Sequence, residues 1–540
     1  MFENHKLVVM LTSVALVLGL VVTGCGTAAP NVGTTTTPKE MKMSWNPGAE
    51  PKTLDPQMSN GIPEAIMELA LFEGLMRLDK DNIPQNAIAD SITVSPDGMQ
   101  YTIKLKDTKW NNGDPVTAED FKFAWMHALD PVAAAEYAYQ LFYIKNGEAY
   151  NGKKAKAEDV GIKVVDPKTL EITLENPTLY FKSLLAFPTY FPVNKKNAET
   201  NKGWNLKSET FVSNGPFKMQ TWSHNDKMVL VNNPNYWDAN AVKLTVLTFN
   251  LVEDGKAALT AFEAGQLDGT DNVPISDIER LRNAKILKSE PYIGNYYYIF
   301  NVTKKPFDNP KVRQALSMTI DRKSLVENVF KGGETPAFAF VPGGIPDAEA
   351  GKIFRNVGGD YYKEDIAKAK QLLAEAGYPD GKNFPEISIL YNTNGSQQIP
   401  AQAIQDMWSK KLGIKVKLVG QESQVYQNSA QNLQYDVARS GFVGDYVDPM
   451  TFLDLFVTKG GNNQTGWSNA DYDKAIDTAK KSGDQKVRMQ AMHDAEEALM
   501  TEMPVMPIYF DVHNYVIKDN IKGVSLSPLG FIDFKNATVE

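Results

Sequence analysis

Two carboxylates, Asp445 and Asp448, stand close together in the stretch Gly441-Phe-Val-Gly-Asp-Tyr-Val-Asp-Pro-Met-Thr-Phe-Leu-Asp-Leu-Phe456, and Arg439 precedes them. Such carboxylates can work in two ways. One is acid–base chemistry, with Asp445 and Asp448 as the pair. The other is recognition. A carboxylate attracts a ligand cation about 4 Å away by about 4 kcal/mol at an effective dielectric near 20. Exclusion of water strengthens such a hydrogen-bonded pair while adding a desolvation cost. The acid–base reading has little around it: no His lies nearby, and the chain has no G-x-S-x-G, H-E-x-x-H or P-loop. A loop Asp also has an ordinary structural use, as a turn or cap residue.

The elements around these residues are those that present a side chain at a strand end. Gln434-Tyr-Asp-Val-Ala-Arg439 alternates as a strand. Gly441 and Gly444 then predict a loosened loop that begins at Gly441. Asp448-Pro449 predicts an N-cap and first helical residue, followed by the apolar Phe452, Leu453, Leu455 and Phe456. Upstream, helix and strand alternate: helix 363–377, strand 387–391, helix 399–412, strand 415–419, helix 423–431, strand 435–439. That alternation predicts a parallel or mixed sheet covered by helices, with the Asp445 loop at a carboxyl strand end where open α/β sheets bind ligands. Helices 472–480 and 485–502 and a strand 504–510 follow.

The first half carries local signals of the same kind. Pro63 opens a helix ending near Leu71. Pro96-Asp-Gly98 turns a hairpin within 91–106. Thr117 and Asp120 form a capping-box pattern ahead of Phe121, Ala124 and Trp125. Tyr137, Tyr139, Phe142 and Tyr143 cluster in a stretch read as helical. Strands are expected over 227–231 and 242–251 and a helix over 256–269. Tyr292 to Asn301 reads as an aromatic strand, which either turns Tyr296–Tyr298 to a cleft or packs on both faces. Asn309-Pro310 caps another helix.

Bulk numbers narrow the function class. The 540 residues are 43% hydrophobic and 22% charged, enough for two or three domains. Net charge is −9, and because residues 1–24 hold only Glu3 and Lys6, removing them leaves it unchanged. No Lys/Arg run offers the basic face that nucleic acid requires. The five histidines show no metal-site spacing, so no metal or cofactor is expected. The single cysteine, Cys25, excludes an intrachain disulfide. It ends an apolar run from Leu7 to Val22 that is short for a membrane span and suited to a signal peptide. Val22-Thr-Gly-Cys25 resembles the bacterial lipobox, which implies cleavage before Cys25 and lipidation of its sulfur. The Thr-, Ala- and Pro-rich segment 26–40 reads as a tether.

Several stretches together resemble one family. These are Pro51-Lys-Thr-Leu-Asp-Pro56, Leu71-Phe-Glu-Gly-Leu-Met-Arg-Leu-Asp79, the run from Tyr101 to Trp125 with Trp110-Asn-Asn-Gly-Asp-Pro-Val-Thr-Ala-Glu-Asp120, Ala258 to Gly269, Pro306 to Arg322, and Arg439 to Pro449. The chain is identified by them as a member of the solute-binding proteins of bacterial oligopeptide ABC transporters, family 5. The resemblance implies an α/β, two-lobed periplasmic-binding-protein-like (type II) fold with mixed sheets and an inserted small domain. The implied division is 1–24 signal peptide; 25–40 lipidated Cys and tether; 41–72, 193–297 and 512–540 lobe I; 73–192 inserted domain; 298–511 lobe II. It also implies closure of the lobes on a peptide whose main chain is bonded as an added strand, with side chains in roomy pockets.

By family position Asp445 takes the peptide amine. Asn60-Gly61-Ile62 and Gly441-Phe442-Val443 are the strand-like partners, and Arg439 is available to a peptide carboxylate; a salt bridge of Arg439 to a neighbouring acid is the alternative. A ligand-facing Tyr falls in the 137–143 cluster, with Tyr139 the candidate, and Tyr298 is the candidate in the aromatic strand. Asn60 stands where relatives carry an acid, Lys417 where they carry a His, and Phe442 where they carry a Trp. The expected partners are an oligopeptide, membrane-embedded permease subunits, and the membrane through Cys25; the protein is expected to be a monomer. A protein of this fold for another solute (nickel chelate, haem or sugar) and a carboxylate-dependent hydrolase are the alternatives.

Overall fold

The computed structural model describes residues 41–79, 82–393 and 397–540. The expected leader, lipidation site Cys25 and tether lie outside the described residues.

Among the described residues the dominant element is an 11-stranded mixed sheet. Two long antiparallel strands, Leu287–Phe300 and Val505–Ile517, form its middle. Each is longer than its local alternation predicts, because different partners extend its two ends. At one end Val516 and Ile517 pair with Gly269–Thr270, which leads to Lys42–Asn46, Val246–Asn250, Lys227–Asn232 and Phe217–Ser223. At the other end Gly294–Phe300 pair with Val437–Val443, followed by Ile387–Asn392 and Val416–Gln421. The register between the long strands shifts between Pro291 and Asn295, where the pair passes from one flank to the other. Proline cannot complete the ladder and is tolerated at such irregularities.

The helix–strand alternation after residue 363 produces the expected parallel pairs. Ile387–Asn392 lies parallel to both Val416–Gln421 and Val437–Val443. Helices Gln398–Leu412 and Ser423–Gln431 are the crossovers between these strands. The aromatic strand packs on both faces. Tyr297 and Ile299 enter one core, whereas Tyr296, Tyr298 and Phe300 enter another.

A separate antiparallel sheet, Ala89–Val94, Gln100–Leu105, Thr169–Thr173 and Ile162–Asp166, supports helix Ala118–Leu129. That helix has the expected capping box, with the Thr117 amide donating to Asp120 Oδ2 at 2.9 Å. The C-terminal tail returns to the flank built on Lys42–Asn46. Phe534 meets Trp45 edge-on at 5.5 Å, and Arg77 pairs with Asp533 at 2.5 Å.

Three expectations fail for identifiable reasons. The stretch 137–143 contains only a 3-10 turn, Ala138–Leu141, pinned by the Tyr190 hydroxyl donating to the Gln140 carbonyl at 2.5 Å. The helix expected over 256–269 ends at Glu263, because Gly265 adopts φ +79° and Gly269 joins the large sheet. The strand before Asp445 does not stop at Arg439. It continues through Gly441, paired with Tyr296, to Val443, so the loop begins at Gly444. Pairing with a fixed neighbour outweighs the weak strand propensity of glycine.

Candidate functional site

The loop Gly444–Pro449 is anchored at several points. The Gly444 amide donates to the Ile293 carbonyl at 2.8 Å, and a Cβ on Gly444 would stand 3.1 Å from both Ile293 Cγ2 and Thr451 Cγ2. Tyr446 stacks on Tyr180 at 4.6 Å, and its hydroxyl lies 2.9 Å from that of Tyr143. Asp448 receives both terminal nitrogens of Arg488, at 2.9 and 3.1 Å, and accepts the Met450 amide at 3.0 Å. Asp448 therefore keeps a capping contact, but the helix is the short Met450–Leu453, with Pro449 just ahead of it. Arg488 is 1% exposed and Asp448 4% exposed. Arg488→Ala would leave the Asp448 carboxylate buried and unpaired. The expected cost is about 3–5 kcal/mol in urea unfolding, with Arg488→Lys intermediate.

This anchoring aims Asp445 at a small cavity of about 60 Å³ lined by Ser59, Asn60, Gly61, Ile62, Tyr137, Phe187, Thr189, Val443, Gly444, Asp445, Leu529 and Phe531 among others. Asp445 is 9% exposed. Its amide donates to Thr451 Oγ1 at 3.0 Å. The Tyr139 hydroxyl donates to Oδ2 at 2.8 Å and that of Tyr137 to Oδ1 at 3.4 Å. The two phenol rings stack at 5.4 Å. Burial raises both phenols, so they stay protonated donors. Burial also pushes the Asp445 carboxyl up to about 6, against the lowering effect of the phenol hydrogen bonds. Among the described residues no cationic side chain pairs with it. The site is a buried carboxylate with two neutral donors and an unmet demand for positive charge.

Beside it runs an open backbone edge. Val437–Val443 pairs along its whole length with the aromatic strand, but on its other side only Val437 and Ala438 pair, with Ile389 and Leu390. The outer edge from Ser440 to Val443 thus meets no strand among the described residues. An extended chain can add to such an edge.

The other expected residues divide. Asn60, Gly61, Ile62 and Val443 reach the cavity with Asp445, and Tyr139 reaches Asp445 itself. The Asn60 amide also donates to Glu136. Gly441 is exposed on the open-edged strand, and Phe442 meets Phe452 edge-on at 5.5 Å. The Arg439 guanidinium lies 4.7 Å from the Tyr296 ring centre, and its Nε is buried without a hydrogen-bond partner. It makes no salt bridge to an acid among the described residues. Tyr298 is 0% exposed; it lies in the core beneath that pair, its hydroxyl 3.5 Å from that of Tyr296. Its side chain is used up in packing and does not reach the cavity. Lys417 is exposed on Val416–Gln421, separated from Val437–Val443 by an intervening strand, and does not line the cavity either. The sequence reading did not single out Ser59, Phe187, Thr189, Leu529 or Phe531. Tyr137 was in the aromatic cluster but had no local mark to set it apart from its neighbours.

Comparison with known proteins assigns the chain. The family model described as bacterial extracellular solute-binding proteins, family 5 middle, matches residues 84–464. The chain belongs to this family. It is 38% identical over 542 residues to the oligopeptide-binding protein OppA of Bacillus subtilis (strain 168), covering 98% of each chain. It is 39% identical over 489 residues to the dipeptide-binding protein DppE of the same organism, covering 90% of each. Among solved structures it resembles Haemophilus influenzae OppA in complex with RPPGFSPFR, with a TM-score of 0.80 and 32% identity over 93% of this chain and 99% of that one. The family 5 fold is the two-lobed type II arrangement with mixed sheets, as expected. Family 5 proteins are extracellular binding proteins and not enzymes, so the hydrolase alternative falls. The geometry agrees, because Arg488 engages both oxygens of Asp448 and leaves it no role as an acid–base partner for Asp445. Among the described residues no His/Cys/Asp/Glu group could hold a metal ion, and no helix is long and apolar enough to cross a membrane.

Proposed function

We propose that this family 5 protein is a lipoprotein, anchored through Cys25, that captures oligopeptides by their N-terminal amine and main chain and delivers them to an ABC permease as a monomer. The observation that carries this reading is the buried Asp445 carboxylate, given two phenol donors and no cationic partner, at the end of an open strand edge. A peptide amine supplies the missing charge, and the peptide main chain supplies the partner for the edge. Ser440–Val443 and Asn60–Ile62 are the main-chain partners on either side. Arg439, resting on Tyr296 with an unpartnered Nε, is the group for a peptide carboxylate. Tyr139 acts through Asp445, by orienting it.

The cavity of about 60 Å³ is far below the roughly 300–1,000 Å³ of pockets that enclose a drug-sized ligand. Enclosing a peptide therefore requires the walls to part. The walls come from the segments assigned to lobe I (41–72, 193–297, 512–540), to the inserted domain (73–192) and to lobe II (298–511), so hinged opening of the lobes is the motion proposed.

Native mass spectrometry of the form lacking residues 1–25, before and after mild unfolding and refolding, tests this reading. Co-purified masses that fragment as peptides and vanish in Asp445→Ala are expected. A reproducible non-peptide mass would replace the peptide with another solute. A protein that carries nothing and ignores a mixed peptide library in calorimetry would end the proposal.

A further inference from the structure

A second cavity, of about 240 Å³, adjoins the first and shares Ile62 with it. Its walls include Asp271, Glu334, His513 and Tyr292, and no Lys or Arg. Asp271 already has a partner in His513 Nε2 at 3.3 Å. Glu334 makes no ion pair: its Oε2 is buried without a hydrogen-bond partner among the described residues, although backbone amides of residues 332–334 and the charge of Arg282 act on the carboxylate. Its other oxygen folds back over Gly332, where any Cβ would collide with it.

A third acid, Asp511, lines neither cavity but directly precedes Val512, which lines the second. Asp511 Oδ2 is 2.8 Å from the point where a Cβ of Gly294 would stand. Gly294 pairs across the sheet with Val443, which lines the first cavity. Cross-strand partners share a face. Asp511 thus occupies the space that Gly294 leaves open, on the face that leads to Asp445. Among the described residues its carboxylate has no hydrogen bond and no ion pair. Arg439 is near enough for its charge to act on Asp511 but does not pair with it. Burial and the charge of Glu334 hold the Asp511 carboxyl up to about 7.

Asp511 and Glu334 make no ion pair among the described residues, and the charge of Glu334 raises Asp511, while Arg282 and Arg439 act on them only from a distance; such a pair of acids is costly in a binding protein. A cation that arrives with the ligand would offset that cost. Resting on the peptide reading above, we infer that Asp511 and Glu334 form a subsite for a cationic side chain, ammonium or guanidinium, of the bound peptide. The apolar walls, Ile62, Val273, Ile275 and Val512, accept the methylene stem of such a side chain, and the acids meet its tip.

The test is calorimetry on the full chain with paired peptides of one length, carrying lysine or its uncharged isostere norleucine at each position in turn. At one position lysine is expected to bind at least about 10-fold tighter than norleucine, in line with a charge-assisted hydrogen bond. Asp511→Asn should collapse that ratio to about 2-fold or less. Glu334→Gln should reduce the ratio. Equal binding of lysine and norleucine at every position, or a lysine preference that survives Asp511→Asn, would overturn the subsite. Cadaverine that binds alone and depends on Asp511, with no lysine preference among peptides, would reassign the acids to free diamines. If neither peptide series binds, the peptide reading itself fails; if norleucine peptides bind and lysine gives no gain, only the subsite does.

Discussion

Asp445→Asn is expected to weaken binding of a free-amine peptide by about 10²- to 10³-fold, or about 3–4 kcal/mol, as measured by calorimetry at pH 7. The substitution keeps shape and keeps acceptor capacity for one of the two tyrosine hydroxyls, but removes the charge that faces the ammonium. Acetylating the peptide amine removes the opposite charge. In the unsubstituted protein it should therefore cost a similar amount, whereas in Asp445→Asn it should cost little more. That non-additivity identifies a direct pair. If the two losses add in full, the amine is bound elsewhere. The same substitution should stabilise the protein measured without peptide. The folded-state carboxyl, at about 6, lies above its ordinary range, so the native state binds this proton more tightly than the unfolded chain does. The stability that proton gives is present at low pH and lost as pH rises through about 6. Above that pH the buried charge costs on the order of 1–3 kcal/mol, which asparagine removes. Urea unfolding at pH 7.5 should show the gain, and at pH 4 it should shrink. A residue that lowers stability while it serves binding is common at functional sites.

How far the sequence reveals this site depends on whether the signal is local. Thr117 with Asp120, and Asn309 with Pro310, mark helix starts through bonds made within a few residues, and both starts fall where expected. Helix Gln485–Glu502 also has its expected bounds. The parallel flank follows from the alternation after residue 363. Which residues meet across the chain is another matter. Tyr137 and Tyr139 reach Asp445 over more than 300 positions because a short turn, not a helix, carries them. Phe531 and Phe187 pack at 5.8 Å from distant segments with no motif in common. Tyr298 looks like Tyr296 in sequence, yet its ring is sealed between strands that only the assembled sheet supplies. Lys417 sits on a strand whose place at the far edge cannot be read from its own residues. Asp511 is hidden for the same reason. In Pro504-Val-Met-Pro-Ile-Tyr-Phe-Asp-Val it reads as the end of a strand, and only the gap at Gly294 gives it a site to face.

Acid should release the peptide. In the proposed capture, binding requires the Asp445 carboxylate, and burial holds that carboxyl at about 6. An ammonium paired with it favours the charged form and draws its pKa back down. By linkage, affinity is then full above about pH 6.5 and falls up to 10-fold per pH unit below about 6, until the pKa of the bound form is reached. A total loss of about 10²-fold between pH 7 and pH 4 follows if binding restores an ordinary carboxyl. The peptide amine, with an ordinary pKa near 8, sets the opposite limb, so affinity should peak between about pH 6.5 and 7.5. Tyr137 and Tyr139 do not contribute in this range, since burial and Asp445 raise both phenols. Asp511, at about 7, titrates in the same window, so peptides without a basic side chain must be used to isolate Asp445. Two controls tie both limbs to one pair. Asp445→Asn and an acetylated peptide should each flatten the acid and the alkaline limb, because the charge on either partner counts only when the other is present. A wild-type affinity that stays constant from pH 7 to pH 5 would mean that Asp445 is not the group that holds the amine.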